Sequence, residues 1–120
     1  MVGDQKKVEE FFLKLRNKLV KTIQDIDGEK FTFKSWSHSG SGGGIMGKIT
    51  GPIIEKGGVN ISTVSGVFSE KMRSRIPGTE ESSNYWATGI SVVLHPKSPL
   101  IPSMHFNSRY LNTKKKWFGG

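Results

Sequence analysis

The first quarter of the chain has apolar residues at the spacing of one helix face. They recur at steps of four, three, four and four positions, as Val8, Phe12, Leu15, Leu19 and Ile23. This spacing places them on a single stripe of an α-helix. Asp4 can cap the start of the helix, and Gly28 can end it. The pattern predicts an amphipathic helix over residues 4–27 whose apolar stripe packs on a core; a membrane-surface or nucleic-acid helix is the alternative.

From Phe31 onward the apolar period changes to two, which is typical of β-strands. Phe31 and Phe33 lead into Trp36, and the serine- and glycine-rich residues 39–44 predict a loop or a close backbone approach. Further strands are predicted over residues 45–50, 53–55, 59–67, 85–94 and 104–111. Residues 69–75 favour a helical turn or two, and residues 112–116 a turn. The chain is therefore interpreted as one α+β domain, residues 1–120, with an antiparallel meander over residues 31–111 packed by the N-terminal helix.

The last two predicted strands each have one bulky and one polar or small face. In residues 85–94, Ile90 and Val92 alternate with Gly89 and Ser91, and His95 continues the second set. In residues 104–111, alternation separates two sets: Met104, Phe106, Ser108 and Tyr110 from His105, Asn107, Arg109 and Leu111. If the strands pair with their apolar faces aligned, the opposite face becomes a polar wall beside small residues, with room for a flat ligand.

Each polar residue of this wall has a chemical use. The guanidinium of Arg109 can bind a carboxylate through two hydrogen bonds, while Asn107 and Ser91 can orient a ligand without adding charge. His105 can lend or take a proton near neutral pH, and His95 can do the same or ligate a metal. Structural histidines remain the alternative for both.

Composition narrows the choice of partner and chemistry. The chain has no cysteine, which excludes disulfides and thiolate catalysis, and it has no apolar run of the roughly 18 residues that span a membrane. The N-terminus mixes acidic residues with its lysines and does not resemble a targeting peptide, so a cytoplasmic protein is expected. The formal charge of +8 favours a polyanionic partner: nucleic acid, an anionic membrane surface or a small polycarboxylate.

Several familiar sites are disfavoured by the motifs. No carboxylate lies near His95 or His105 to form a hydrolytic triad, and residues 39–44 lack the Gly-Lys-Ser/Thr ending of a phosphate loop. His38, His95 and His105 lack the short spacing of structural metal sites. No aromatic-basic stacking motif supports a nucleic-acid binder.

Five sequence strings nevertheless resemble one known family, the oxygen-dependent coproporphyrinogen III oxidases. They are GGG at 42–44, EKGGVNIS at 55–62, GISVVLHPKSP at 89–99, PSMHFNSRY at 102–110 and WFGG at 117–120. Their order and spacing follow the family over most of residues 41–120. Four positions depart from the usual family residue: Gly57, Ser98, Ser103 and Ser108, of which only Ser108 touches the wall.

The resemblance implies an activity and roles for the wall residues. It implies a homodimeric enzyme of haem biosynthesis that uses molecular oxygen, and no organic cofactor, to convert two propionates of coproporphyrinogen III into vinyl groups. His105 matches the family's proton donor, and Ser91, Asn107, Ser108 and Arg109 match its substrate contacts. His95 and His105 match positions at which bacterial members are ascribed a divalent metal.

The resemblance also implies that a part of the enzyme is missing. In the family, the WFGG string continues into a further glycine, then an aspartate that acts on the pyrrole nitrogens, and a long C-terminal half. We therefore expect residues 1–120 to be an incomplete N-terminal part with little or no turnover alone. A non-catalytic porphyrin-binding or dimerisation fragment is the alternative.

Overall fold

A computed structural model describes residues 4–120, which form a long helix and one antiparallel sheet. The elements are α1 (Gln5–Asp27), β1 (Thr32–Ser37), β2 (Ser41–Ile49), β3 (Ile54–Val67), α2 (Glu70–Arg73), β4 (Asn84–Pro96), β5 (Met104–Asn112) and β6 (Trp117–Gly119). The order of the strands across the sheet is their order along the chain, β1 to β6. This arrangement confirms the predicted α+β class and the meander.

Helix α1 buries the predicted apolar stripe. Phe12 and Ile23 are buried in the core, and Val8, Leu15 and Leu19 pack against it. The helix ends at Gly28, which has a φ of 89° and whose N–H donates to the carbonyl of Gln24. Asp4 immediately precedes the helix, but its side chain makes no capping hydrogen bond, so that part of the prediction was wrong.

The glycine-rich segment belongs largely to a strand, which corrects the predicted loop over residues 39–44. Strand β2 already begins at Ser41, and its residues pair with β1 and β3. Gly44 lies opposite Trp36, and a Cβ atom at Gly44 would lie 2.7 Å from Cζ2 of the indole. The same Cβ atom would collide with the carbonyl oxygen of Ile61, so the glycine permits the close approach of both a strand and a side chain, which agrees with the predicted alternative of a close backbone approach.

Strand β3 is continuous where two short strands were predicted. It runs through Gly57 and Gly58, and a register shift between Ile54 and Lys56 marks a bulge at Glu55. Strand β6 was missed altogether, because three residues are too few to show a period. Residues 113–116 form the predicted turn before it.

The two faces of the sheet have different surroundings. On one face, Ile90 and Val92 are 2% and 0% exposed and form the core with Phe12 and Ile23 of α1. This side is called the helix face. It is only partly covered, since Phe106 and Trp117 at its β5–β6 end are 37% and 59% exposed. The opposite side, called the open face, is covered by no helix among residues 4–120.

The segment between α2 and β4 is held against the β5–β6 turn. The hydroxyl of Thr79 is buried within 2.8 Å of the carbonyl oxygen of Arg73. Glu81 forms ion pairs with Lys114 and Lys115, and the hydrogen bond from Lys115 lowers the pKa of the Glu81 carboxyl.

No helix within residues 4–120 is long and apolar enough to cross a membrane.

Candidate active site

The register of β4 and β5 brings the predicted polar residues to one side of the sheet. Ser91 lies directly opposite Asn107, Gly89 opposite Arg109, and Val93 opposite His105. Val92 and Phe106 alternate with these residues along the two strands and pair with each other. They therefore point to the opposite face, toward α1, as the predicted alignment of the apolar faces requires. The structure thus places Ser91, His95, His105, Asn107 and Arg109 together on the open face.

Ser91, Asn107 and Arg109 line a shallow cavity of about 260 Å³. Its other lining residues are Trp36, Asn60, Ser62, Gly89, Ile90 and Ser108. The floor is bare at Gly89, where an added Cβ would lie 2.8 Å from the carbonyl oxygen of Ser108. The cavity therefore offers a guanidinium, an amide and a hydroxyl above a flat backbone surface.

Ser108 reaches this cavity differently from its neighbours. It pairs with Ile90, which is buried on the helix face, so strand alternation directs the Ser108 side chain to that face as well. A contact from Ser108 to a ligand on the open face would therefore be made by its main chain.

His95 and His105 touch at the end of the polar wall. Their Nε2 atoms are 2.7 Å apart, the ring centroids are 5.0 Å apart and the ring planes differ by 18°. Because the shortest approach joins the two nitrogens, the rings meet edge to edge. One Nε2–H must donate to the other Nε2, so the neutral pair requires two different tautomers. The pair thus shares one proton between its two Nε2 atoms on the open face, and the tautomers decide which ring carries it.

This geometry does not fit a metal ion shared by the two rings. Their Nε2 atoms are 2.7 Å apart and joined by a hydrogen bond, whereas two nitrogens on a tetrahedral zinc ion, each bonded at about 2.0–2.1 Å, would be held about 3.3 Å apart. Within residues 4–120, no group of three or more histidine, aspartate or glutamate side chains could hold a metal. The metal assignment to His95 and His105 stays a prediction, which would require the rings to rotate apart and further ligands to be added.

A second cavity of about 680 Å³ lies beside the first and was missed by sequence reasoning. Its charged lining residues are Lys48, Glu55 and Lys56, and it also contacts His95 and Asn60. Asn60 borders both cavities, and its Oδ1 atom is buried without a hydrogen-bond partner among residues 4–120. With Arg109, the two cavities carry three permanent cations and one carboxylate, which favours an anionic ligand.

Asn60 and Ser62 were missed for a common reason. Asn60 and Ser62 alternate with the apolar Val59 and Ile61, which is a usable signal for a polar strand face. Which cavity that face borders depends on the pairing of Asn60 with Ser91 and of Ser62 with Gly89. Those pairings are not encoded in the local pattern.

Comparisons with known proteins identify the family of this chain. A family model described as coproporphyrinogen III oxidase matches residues 7–120. Proteins named oxygen-dependent coproporphyrinogen-III oxidase from Rickettsia felis and Rickettsia akari are each 51% identical over 120 aligned positions, which cover 92% of this chain and 43% of the relative. The relative from Rickettsia bellii is 57% identical over 91 positions, covering 76% of this chain and 33% of the relative.

The chain thus spans less than half the length of these curated relatives. The family model nevertheless includes every element of the sheet and every residue of the polar wall. On this match, the chain belongs to the coproporphyrinogen III oxidase family.

Proposed function

We propose that the chain is the N-terminal, substrate-binding part of an oxygen-dependent coproporphyrinogen III oxidase, which converts coproporphyrinogen III into protoporphyrinogen IX in haem biosynthesis. The observation that carries the proposal is the alignment of Ser91, Asn107 and Arg109 in one cavity beside the His95–His105 pair. The substrate has four carboxylates on a porphyrinogen ring, and the open face offers cations beside a bare floor.

The reaction sets the demands on this surface. Each propionate loses carbon dioxide and a hydride equivalent to become a vinyl group. Molecular oxygen accepts the two electrons and, with one further proton, leaves as hydrogen peroxide. No organic cofactor is proposed. The family resemblance assigns a divalent metal to the two histidines, and no step of the reaction is assigned to it.

The side chains of the open face divide into binding and proton-holding groups. Arg109 binds a propionate bidentately, and the neutral Asn107 and Ser91 fix the orientation of the pyrrole that bears it. His105 is the proton donor, and its Nε2 atom shares a hydrogen bond with Nε2 of His95, which can supply a proton to it. A histidine that is exposed and hydrogen-bonded to a second imidazole suits that task.

We also propose that the protein works as a cytoplasmic homodimer. Strands β1 and β6 form the two edges of the sheet within residues 4–120, and such edges carry unpaired backbone groups. The exposed Phe106 and Trp117 add apolar surface at the β6 end. Sedimentation equilibrium of the purified protein measures the mass directly, and a monomer at micromolar concentration would contradict the dimer.

A titration with coproporphyrin III, the stable oxidised analogue of the substrate, tests the binding role. We expect micromolar affinity and a loss of about tenfold or more in Arg109→Gln, because a charge-assisted bidentate contact contributes on the order of 1.5–3 kcal/mol. Arg75→Gln is the matched control, since Arg75 is exposed and lines neither open-face cavity.

Circular dichroism should show the same fold for wild type and both variants. If the folded wild type does not bind, or if Arg109→Gln binds as tightly as Arg75→Gln, the proposal fails. Binding of duplex DNA with the same affinity as coproporphyrin would instead favour the nucleic-acid reading of the charge.

A further inference from the structure

A single row of residues crosses the open face from the first strand to the fifth. The register aligns Trp36 of β1, Gly44 of β2, Ser62 of β3, Gly89 of β4 and Arg109 of β5. The three central residues are two glycines and a serine. The row is therefore a low floor with one large side chain at each end.

Trp36 leans over this floor. A Cβ atom at Gly44 would lie 2.7 and 2.8 Å from Cζ2 and Cε2 of the indole, so only glycine permits this position of the ring. The indole lines the 260 Å³ cavity although the other lining residues come from β3, β4 and β5. It is 40% exposed and lies on the face opposite the core, so burial in the core does not account for it.

The dimensions suit a macrocycle held between the two ends. Four interstrand spacings separate the Cα atoms of Trp36 and Arg109 by about 19 Å, and both side chains can extend inward over the floor. An indole offers a flat apolar surface to a pyrrole ring, while the guanidinium meets a carboxylate at the rim of the same molecule.

We propose that Trp36 is a positioning residue of the porphyrinogen site, whose indole packs against the pyrrole macrocycle while Arg109 binds a propionate at the opposite end of the row. This assignment rests on the proposed function. It extends the site to β1, two strands beyond the β3–β5 surface that holds the other lining residues of that cavity.

The test compares Trp36→Ala and Trp36→Phe in coproporphyrin III titrations. We expect Trp36→Ala to weaken binding about tenfold and Trp36→Phe less than threefold, because phenylalanine keeps a flat apolar ring. The loss in Trp36→Ala should persist at high salt, whereas the loss in Arg109→Gln should shrink. Trp117→Ala is the matched control, since Trp117 is exposed and stacks on Tyr110 at the helix face.

A footprint on the unmodified protein provides a second readout that does not depend on variants folding. N-bromosuccinimide should oxidise Trp36 several times more slowly when coproporphyrin is bound, with the rate at Trp117 unchanged. Equal oxidation of Trp36 with and without bound ligand, or an unchanged affinity in folded Trp36→Ala, overturns the assignment while leaving the Arg109 result intact. Absence of binding in the wild type overturns the proposed function itself.

Discussion

Asp27, the last residue of α1, ties the helix to the sheet. Its Oδ2 accepts hydrogen bonds from the N–H groups of Ile53 and Ile54 at 3.0 and 2.7 Å. The carboxylate is buried against Gly51, where any Cβ atom would collide with Oδ1. One side chain thus fixes the end of the helix to the start of β3 and so fixes how α1 crosses the core.

We expect Asp27→Ala to lower the free energy of unfolding by about 2 kcal/mol, because it removes a charged acceptor and leaves two backbone donors unpaired. Urea denaturation measures the change. Asp25→Ala is the control, since Asp25 forms only an exposed ion pair with Lys21 and should cost about 0.5 kcal/mol or less. Equal losses in the two variants would contradict the anchoring role.

At the scale of the elements, α1 covers one face of the sheet, and the candidate site lies on the other. The helix packs across β3 and β4 and leaves the opposite side of the same strands accessible. The short connection through Gly28 sets where the chain turns from the helix into β1. Because β1 contributes Trp36, the end of the helix also bears on the position of the site.

Gly28, the residue that ends α1, provides a test of this connection. Gly28→Ala should destabilise the protein by about 1 kcal/mol, because Gly28 has a φ of 89° and alanine is strained there although no neighbouring atom would clash. Thermal unfolding followed by circular dichroism measures it. Gly58→Ala is the matched control: its φ is not positive, its Cβ would have a neighbour only at 3.8 Å, and no loss beyond about 0.5 kcal/mol is expected.

At the scale of the whole molecule, the structure shows where some of the basic side chains behind the formal charge of +8 lie. Lys48 and Lys56 line the larger open-face cavity, and Arg109 lines the smaller. The lysines of α1 belong to the element that packs on the other side of the sheet. The same net charge could serve any polyanion, but under the proposed function the substrate meets the cations of the open-face cavities and not those of α1.

Coproporphyrin III binding should therefore weaken as sodium chloride rises, and Lys48→Gln or Lys56→Gln should each weaken it about threefold at low salt, since an exposed ion pair contributes about 0.2–1 kcal/mol. Lys14→Gln on α1 should change neither affinity nor salt dependence. Fluorescence titrations at two salt concentrations measure both effects. If Lys14→Gln matches the other two variants, the attraction comes from net charge and not from the cavity.

The sequence by itself determined the helix, most strand positions, the two faces of β4 and β5, and the family. These follow from local periodicity and from strings such as PSMHFNSRY, because alternation along a strand decides which side chains share a face. This alternation alone groups five residues on one side of the sheet: Ser91, His95, His105, Asn107 and Arg109.

Tertiary structure alone decided the rest. The register of β1, β2 and β3 brings Trp36, Asn60 and Lys48 to the site. The predicted loop over residues 39–44 is largely a strand because the residues from Ser41 onward pair with β3. Register is set by long-range pairing and by the bulge at Glu55, and neither leaves a period in the local sequence.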